Sequence, residues 1–111
     1  MTEQPQTAAQ RLVGDIAPEL AALTDEVLFG NVWERAGLGK RDRSLITCAA
    51  LITNGSTEQL KGHLGRALDN GVRPDEIIEM ITHLAFYAGW PRAMSAVPVA
   101  REVFSAAGAQ Q

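Results

Sequence analysis

Arg41-Asp42-Arg43-Ser44-Leu45-Ile46-Thr47-Cys48-Ala49-Ala50-Leu51-Ile52-Thr53-Asn54-Gly55 decides the fold class. Leu45, Ile46, Ala49, Ala50, Leu51 and Ile52 make the stretch apolar over most of a helical surface, and no part of it alternates for long with period two. A helix apolar nearly all round is buried on several sides. Asn54-Gly55 ends it, because glycine takes the left-handed position after a helix without a Cβ clash. The stretch predicts a helix over 41–53 at the centre of an all-α domain.

Toward the C-terminus, Ser56 or Thr57 is placed to cap a second helix, in which Leu60, Leu64, Ala67 and Leu68 form one face before Asn70-Gly71. Pro74 suits a first helical position, with Asp75 and Glu76 in the positive first turn. Ile77, Ile78, Ile81, Leu84, Ala85 and Ala88 then carry an apolar pattern to Gly89. Pro91 opens the last helix, where Pro98 predicts either a kink or the true start.

Toward the N-terminus, Leu20, Leu23, Val27 and Leu28 recur at three- and four-residue steps behind Pro18. They predict a helix face ending before Gly37. Residues 9–16 form a short apolar-periodic piece, and residues 1–10 are expected to be a flexible arm. The expectation is one all-α domain over 11–111, with five or six helices. Helices 41–53 and 74–88 carry more apolar surface than one small bundle layer needs, which predicts an obligate oligomer.

The bulk numbers exclude several classes. A net charge of -3 argues against nucleic acid, which calls for a basic face. No run of about 18 apolar residues is present, so no membrane span is expected. The first ten residues are polar, without the apolar segment of a secretory signal. A single cysteine allows no internal disulfide, no Cys-x-x-Cys pair and no zinc cluster. The cytoplasm is the expected compartment.

Chemistry is expected between Arg41 and Gly89, where both histidines lie. His63 is flanked by Gly62 and Gly65, each costing about 1 kcal/mol against alanine inside a helix. Glycines there admit a ligand, or else a neighbouring backbone against a core histidine; the residues alone leave both readings open. Histidine titrates near neutral pH and suits proton transfer. His83, between Ile81 and Leu84, reads first as a buried, hydrogen-bonded histidine. The two histidines are twenty positions apart with no His-x-x-x-His motif, so no metal site is expected. Lys40, Arg41 and Arg43 open a helix, where cations oppose the dipole, so a bound carboxylate or a surface salt bridge should compensate them. Arg43 adjoins the apolar run and is expected to point inward. Cys48, among apolar neighbours, reads as an inert buried thiol.

Phe29-Gly30-Asn31-Val32-Trp33-Glu34-Arg35, Gly37-Leu38 and Arg41-Asp42-Arg43-Ser44-Leu45-Ile46-Thr47 together resemble the carboxymuconolactone decarboxylase family. Glu58-Gln59-Leu60-x-x-His63, Ala67-Leu68-Asp69-Asn70-Gly71-Val72, Pro74-Asp75-Glu76-Ile77 and His83-Leu84-Ala85-Phe86-Tyr87-Ala88-Gly89-Trp90-Pro91 extend the likeness over about residues 25–105. The resemblance implies an all-α fold, also used by the alkylhydroperoxidase AhpD, and assembly into trimers or hexamers. Peroxidase-like members carry a Cys-x-x-Cys followed by histidine and a glutamate one helix earlier. Here Ser56-Thr57-Glu58-Gln59 precedes His63 and Ser44 stands at the glutamate position, which argues against thiol chemistry.

The decarboxylase branch implies conversion of 4-carboxymuconolactone to an enol-lactone and CO2, without metal or organic cofactor. By that resemblance His63 would donate a proton or stabilise the oxyanion, with Glu58 tuning it, and Arg43 would bind a carboxylate. His83 and Tyr87 would add polar pocket groups, and Trp33 and Trp90 apolar walls. A related cofactor-free lyase or isomerase on another lactone or β-keto acid is the first alternative. A non-catalytic oligomeric binding protein, with a dry surround for His63 and no nearby cation, is the second.

Overall fold

The computed structural model describes residues 5–108; the ends of the chain, including the first four residues of the expected arm, lie outside the described residues. The chain divides into two compact units, Met1–Gly39 and Lys40–Gln111. All regular structure among the described residues is helical.

In the first unit, helix α1 spans Ala8–Val13 and α2 spans Pro18–Leu23. Thr7 caps α1 by a reciprocal pair of bonds. Its Oγ1 accepts from the Gln10 backbone at 3.1 Å while Gln10 Oε1 accepts from the Thr7 backbone at 2.9 Å. The Thr7 hydroxyl also donates to Asp25 at 2.7 Å. Helix α1 thus begins inside the stretch expected to be an arm.

The single helix expected from Pro18 to Gly37 is broken. After α2 the chain widens into a π-helical turn, Thr24–Phe29, and then makes a 3-10 turn, Val32–Glu34. Thr24 Oγ1 donates back to the Leu20 carbonyl at 2.7 Å at the junction; the same bond at Thr82 leaves α5 unbroken, so it does not by itself explain the widening. The stripe expected to face a core is turned outward, with Leu20, Leu23, Val27 and Leu28 all at least 40% exposed. Trp33 is buried instead, its ring 5.9 Å from that of Phe29.

The second unit is a four-helix assembly of α3 (Lys40–Asn54), α4 (Thr57–Asp69), α5 (Pro74–Ala88) and α6 (Trp90–Gly108). Helix α3 packs on α4, α5 on α6 and α4 on α6, and α3 also touches α5 and α6. Cys48, Ile52, Leu60, Leu64, Ile77 and Ile81 form the centre, as the apolar spacings predict. The α5–α6 side is lined by Ala85, Ala93, Ala96 and Ala100, so small residues let these helices approach closely.

The joints follow the sequence signals. Gly55 has φ +73°, a conformation that favours glycine, and a Cβ there would meet the flexible guanidinium end of Arg92. Gly71 and Gly89 also have positive φ. Ser56 occupies the cap position of α4, yet its side chain makes no capping bond. Pro98 neither starts nor ends α6, which runs continuously past it. Proline removes the bond to the Met94 carbonyl, and both residues are exposed, which leaves that carbonyl on the solvent side.

Candidate functional site

Helix α4 carries His63 at the edge of its buried face. Leu60, Leu64 and Ala67 point into the core, and His63 stands half-buried beside them with Nδ1 closed off from solvent. Asn70 lies seven residues on, on the same side of the helix, and its Nδ2 donates to the Oγ of buried Ser44 at 3.0 Å. That bond shows the His63 side of α4 turned toward α3. Ser44, where peroxidase-like relatives would carry a glutamate, is here a buried neutral anchor for Asn70.

Burial lowers the proton affinity of His63 below its ordinary value, and the charge of Arg66, three residues on, lowers it further. Both effects favour the neutral imidazole, and a negative charge arriving beside it would favour the protonated form. Arg66 is the cation that acts on it, although the family motifs give Arg66 no part. Its signal in the sequence is the i, i+3 spacing, which puts it one turn from His63.

Arg43 is partly buried in the first turn of α3, next to Ser44. Ser44 meets Asn70, and two helical turns, about 10 Å, separate Asn70 from His63 along α4. Arg43 therefore belongs to the Asn70 level of the α3–α4 contact rather than to the His63 level. Its neighbour Arg41 takes the salt-bridge reading, bonding Glu76 of α5 and lying 3.8 Å from Asp42.

Glu58 is exposed in the first turn of α4. Five residues correspond to about 140° around a helix, so Glu58 and His63 leave it in different directions. The structure does not bring them together, and Glu58 is not among the groups that shift His63.

His83 departs from its expected burial: it is exposed on α5, stacked on Tyr87 with ring centroids 4.9 Å apart. It lines an open groove of about 520 Å3 with Leu45, Ile46, Met80 and Glu79. Tyr87 is 78% exposed and Trp90 56%, so neither forms a pocket wall within one chain. Trp33 lies in the first unit, beside Phe29.

Gly62 and Gly65 are not sites of close packing, since a Cβ on either would meet nothing within 4 Å. They face an open groove of about 760 Å3 between α4 and α6, bordered by Lys61, Arg66 and Glu102. Lys61 and Glu102 pair there at 2.6 Å. Cys48 is fully buried and its thiol is pushed up to about 11, an inert setting as expected. Among the described residues no cluster of His, Cys, Asp and Glu could hold a metal ion, and no helix is long and apolar enough to cross a membrane.

Comparison with known proteins gives these residues a context. Over 80 residues the chain is 42% identical to 4-carboxymuconolactone decarboxylase of Acinetobacter baylyi, covering 72% of this chain and 60% of the relative. Over 83 residues it is 35% identical to a nitrosuccinic acid decarboxylase of Metarhizium robertsii, covering 75% of this chain and 58% of the relative. The chain thus spans somewhat less than two thirds of the length of these curated relatives. The sequence profile of the carboxymuconolactone decarboxylase family matches residues 18–102, taking in α2 to α5, most of α6 and every candidate residue above. Profile, identity and all-helical architecture agree that this chain belongs to the carboxymuconolactone decarboxylase family.

Proposed function

We propose that this chain supports cofactor-free decarboxylation of 4-carboxymuconolactone or a similar carboxylated acid. The observation that carries the reading is His63, a half-buried imidazole whose proton affinity is lowered by burial and by Arg66. A non-catalytic protein calls for a dry histidine without a cation nearby, and Arg66 argues against it.

The chemistry follows from charge. Both named substrate types, a carboxymuconolactone and nitrosuccinic acid, are dicarboxylic acids in which loss of CO2 leaves charge spread onto oxygen. The carbon–carbon bond to the departing carboxylate breaks, and its electron pair passes into a dienolate or nitronate. A proton must then return to carbon. An arriving dianion reverses the effect of Arg66 on His63 and raises its proton affinity, so His63 takes up a proton with the substrate and delivers it after CO2 leaves. In this reading Arg66 would hold one carboxylate beside the histidine and Arg43 the second. Glu58 receives no direct part. His83, Tyr87, Trp90 and Trp33 are not needed for this step.

The same reading includes a homo-oligomer, trimer or hexamer, supported by the apolar side chains left uncovered on the single chain. Aromatic-compound catabolism and a cytoplasmic location belong to it as well.

The test is an ultraviolet assay of the purified chain with fresh 4-carboxymuconolactone and, separately, nitrosuccinate, with His63→Ala alongside. Turnover lost in His63→Ala, with helicity kept, supports the reading. Equal turnover in His63→Ala removes the histidine from the mechanism. No turnover of either acid by the folded protein removes the substrate assignment and favours a related lyase or isomerase.

A further inference from the structure

Among the described residues, Ser44 is the one polar side chain buried in the structure, and its Oγ accepts from Asn70 Nδ2 at 3.0 Å. Asn70 is itself fixed by the way α4 ends. Its backbone N–H donates to the Arg66 carbonyl at 2.9 Å and to the Ala67 carbonyl at 3.1 Å. Gly71, at φ +96°, donates to Leu68 at 3.1 Å, and buried Val72 donates to Ala67 at 2.9 Å. Such paired bonds close a helix through a left-handed glycine, so the Asn70 amide leaves a closed backbone frame.

The two arginines of the proposed reaction flank this bond. Arg43 precedes Ser44 in the chain, and Arg66 lies one turn before Asn70, its carbonyl on the Asn70 N–H. The route from Arg43 to Arg66 is therefore one peptide bond, the Ser44–Asn70 bond and one backbone bond. The core of the second unit is otherwise apolar, through Cys48, Ile52, Leu60 and Leu64. Apolar contact has no preferred direction and tolerates small slides of helix on helix. A hydrogen bond has a required length and angle, and losing it leaves a buried oxygen unsatisfied.

We infer that Ser44 and Asn70 are positioning residues whose hydrogen bond fixes the register of α3 on α4, and with it the separation of Arg43 and Arg66, so that the site selects diacids over monoacids. A rigid diacid has one spacing between its carboxylates, and only cations held at a matching spacing take both ends. Neither positioning residue needs to touch the substrate. The inference rests on the decarboxylase reading above and deepens it.

The experiment compares the wild type with Ser44→Ala/Asn70→Leu on 4-carboxymuconolactone and on its monomethyl ester, in which the carboxylate that stays in the product is blocked. Replacing both partners by apolar groups leaves no buried polar atom unsatisfied, so stability is kept while the directional bond is lost. The wild type should favour the diacid. The double variant should raise KM for the diacid about tenfold, with the smaller part of the loss in kcat, and should lose the preference over the ester. Ile52→Val, about two turns along α3 from Ser44, should lower the thermal midpoint and leave the preference in place. If the double variant fails to fold, Ser44→Ala alone decides by the same ratio. A folded variant with wild-type KM and preference overturns the positioning role while the decarboxylase stands. A wild type that turns over diacid and ester alike also overturns it, since no second carboxylate is then held. A wild type that turns over neither 4-carboxymuconolactone nor nitrosuccinate overturns both.

Discussion

The two units spend their apolar residues in opposite ways. In Lys40–Gln111, leucines and isoleucines at three- and four-residue spacing point inward, and Ile52, Leu60, Leu64 and Ile77 are at most 2% exposed. In Met1–Gly39, the same spacing places Leu12, Ile16, Leu20, Leu23 and Val27 in solvent, and only Ala21 and Trp33 among the described residues are buried. The pattern is equally helical in both. What differs is whether other helices lie within reach to receive the stripe: four long helices close around a common centre, whereas two six-residue helices and two distorted turns cannot. Periodicity tells which residues share a face. It does not tell whether that face is covered.

The largest expected effects come from the core of the second unit. Leu64→Ala should lower stability to denaturant by about 2–5 kcal/mol, while Leu23→Ala, half exposed, should change it by less than about 1 kcal/mol. Equal losses would break the contrast between the units. Cys48 gives a chemical version of the same test. With its thiol pushed up to about 11 and no exposure, it should stay unlabelled by a thiol reagent in the native protein and react fully once unfolded.

His63 sharpens the comparison through pH. Its folded proton affinity lies below that of the unfolded chain, ordinarily near 6.5, so the unfolded chain takes the proton first. The stability tied to its neutral form is complete above pH 6.5 and is lost as pH falls from there toward the folded value. His63→Gln should flatten that slope in acid denaturation curves; an unchanged slope would show that the imidazole is not held neutral. If His63 delivers the proton, kcat/KM should fall as pH rises through a value below 6.5, and Arg66→Gln should move that limb upward.

Glycines give smaller effects. Gly55→Ala should destabilise by about 1–2 kcal/mol, since alanine is strained at positive φ and would also displace Arg92. Gly62→Ala, with open space at its Cβ, should stabilise α4 by up to about 1 kcal/mol. A loss there would mean that something packs into the α4–α6 groove. In the first unit, Thr7→Ala should cost about 1 kcal/mol at most, measured as helicity or thermal midpoint.

Much of the second unit was legible because its signals are local. Proline at a helix start, glycine after a helix end and apolar steps of three and four depend on neighbours within one turn, and α3, α4 and α5 appear within a residue or two of where they read. The break of the expected helix after Leu23 was not legible: a π turn and an α turn differ by one residue in the backbone ladder, and the apolar spacing reads alike for both. The site was legible in part. His63 stood out by its glycines, yet those glycines border an open groove between α4 and α6 whose lining does not include His63.

The amino-acid sequence by itself determined the helical class, the joints at Asn54-Gly55 and Asn70-Gly71, the inert thiol and the family, because these follow from residue type and spacing along one strand of chain. Only the tertiary structure decided that His63 is half-buried and that Ser44 anchors Asn70. It also decided that His83, Tyr87 and Trp90 face outward on a single chain. Each of these depends on the angle at which a side chain leaves its helix and on what lies opposite. Spacing gives the first only approximately, and it carries no information about the second.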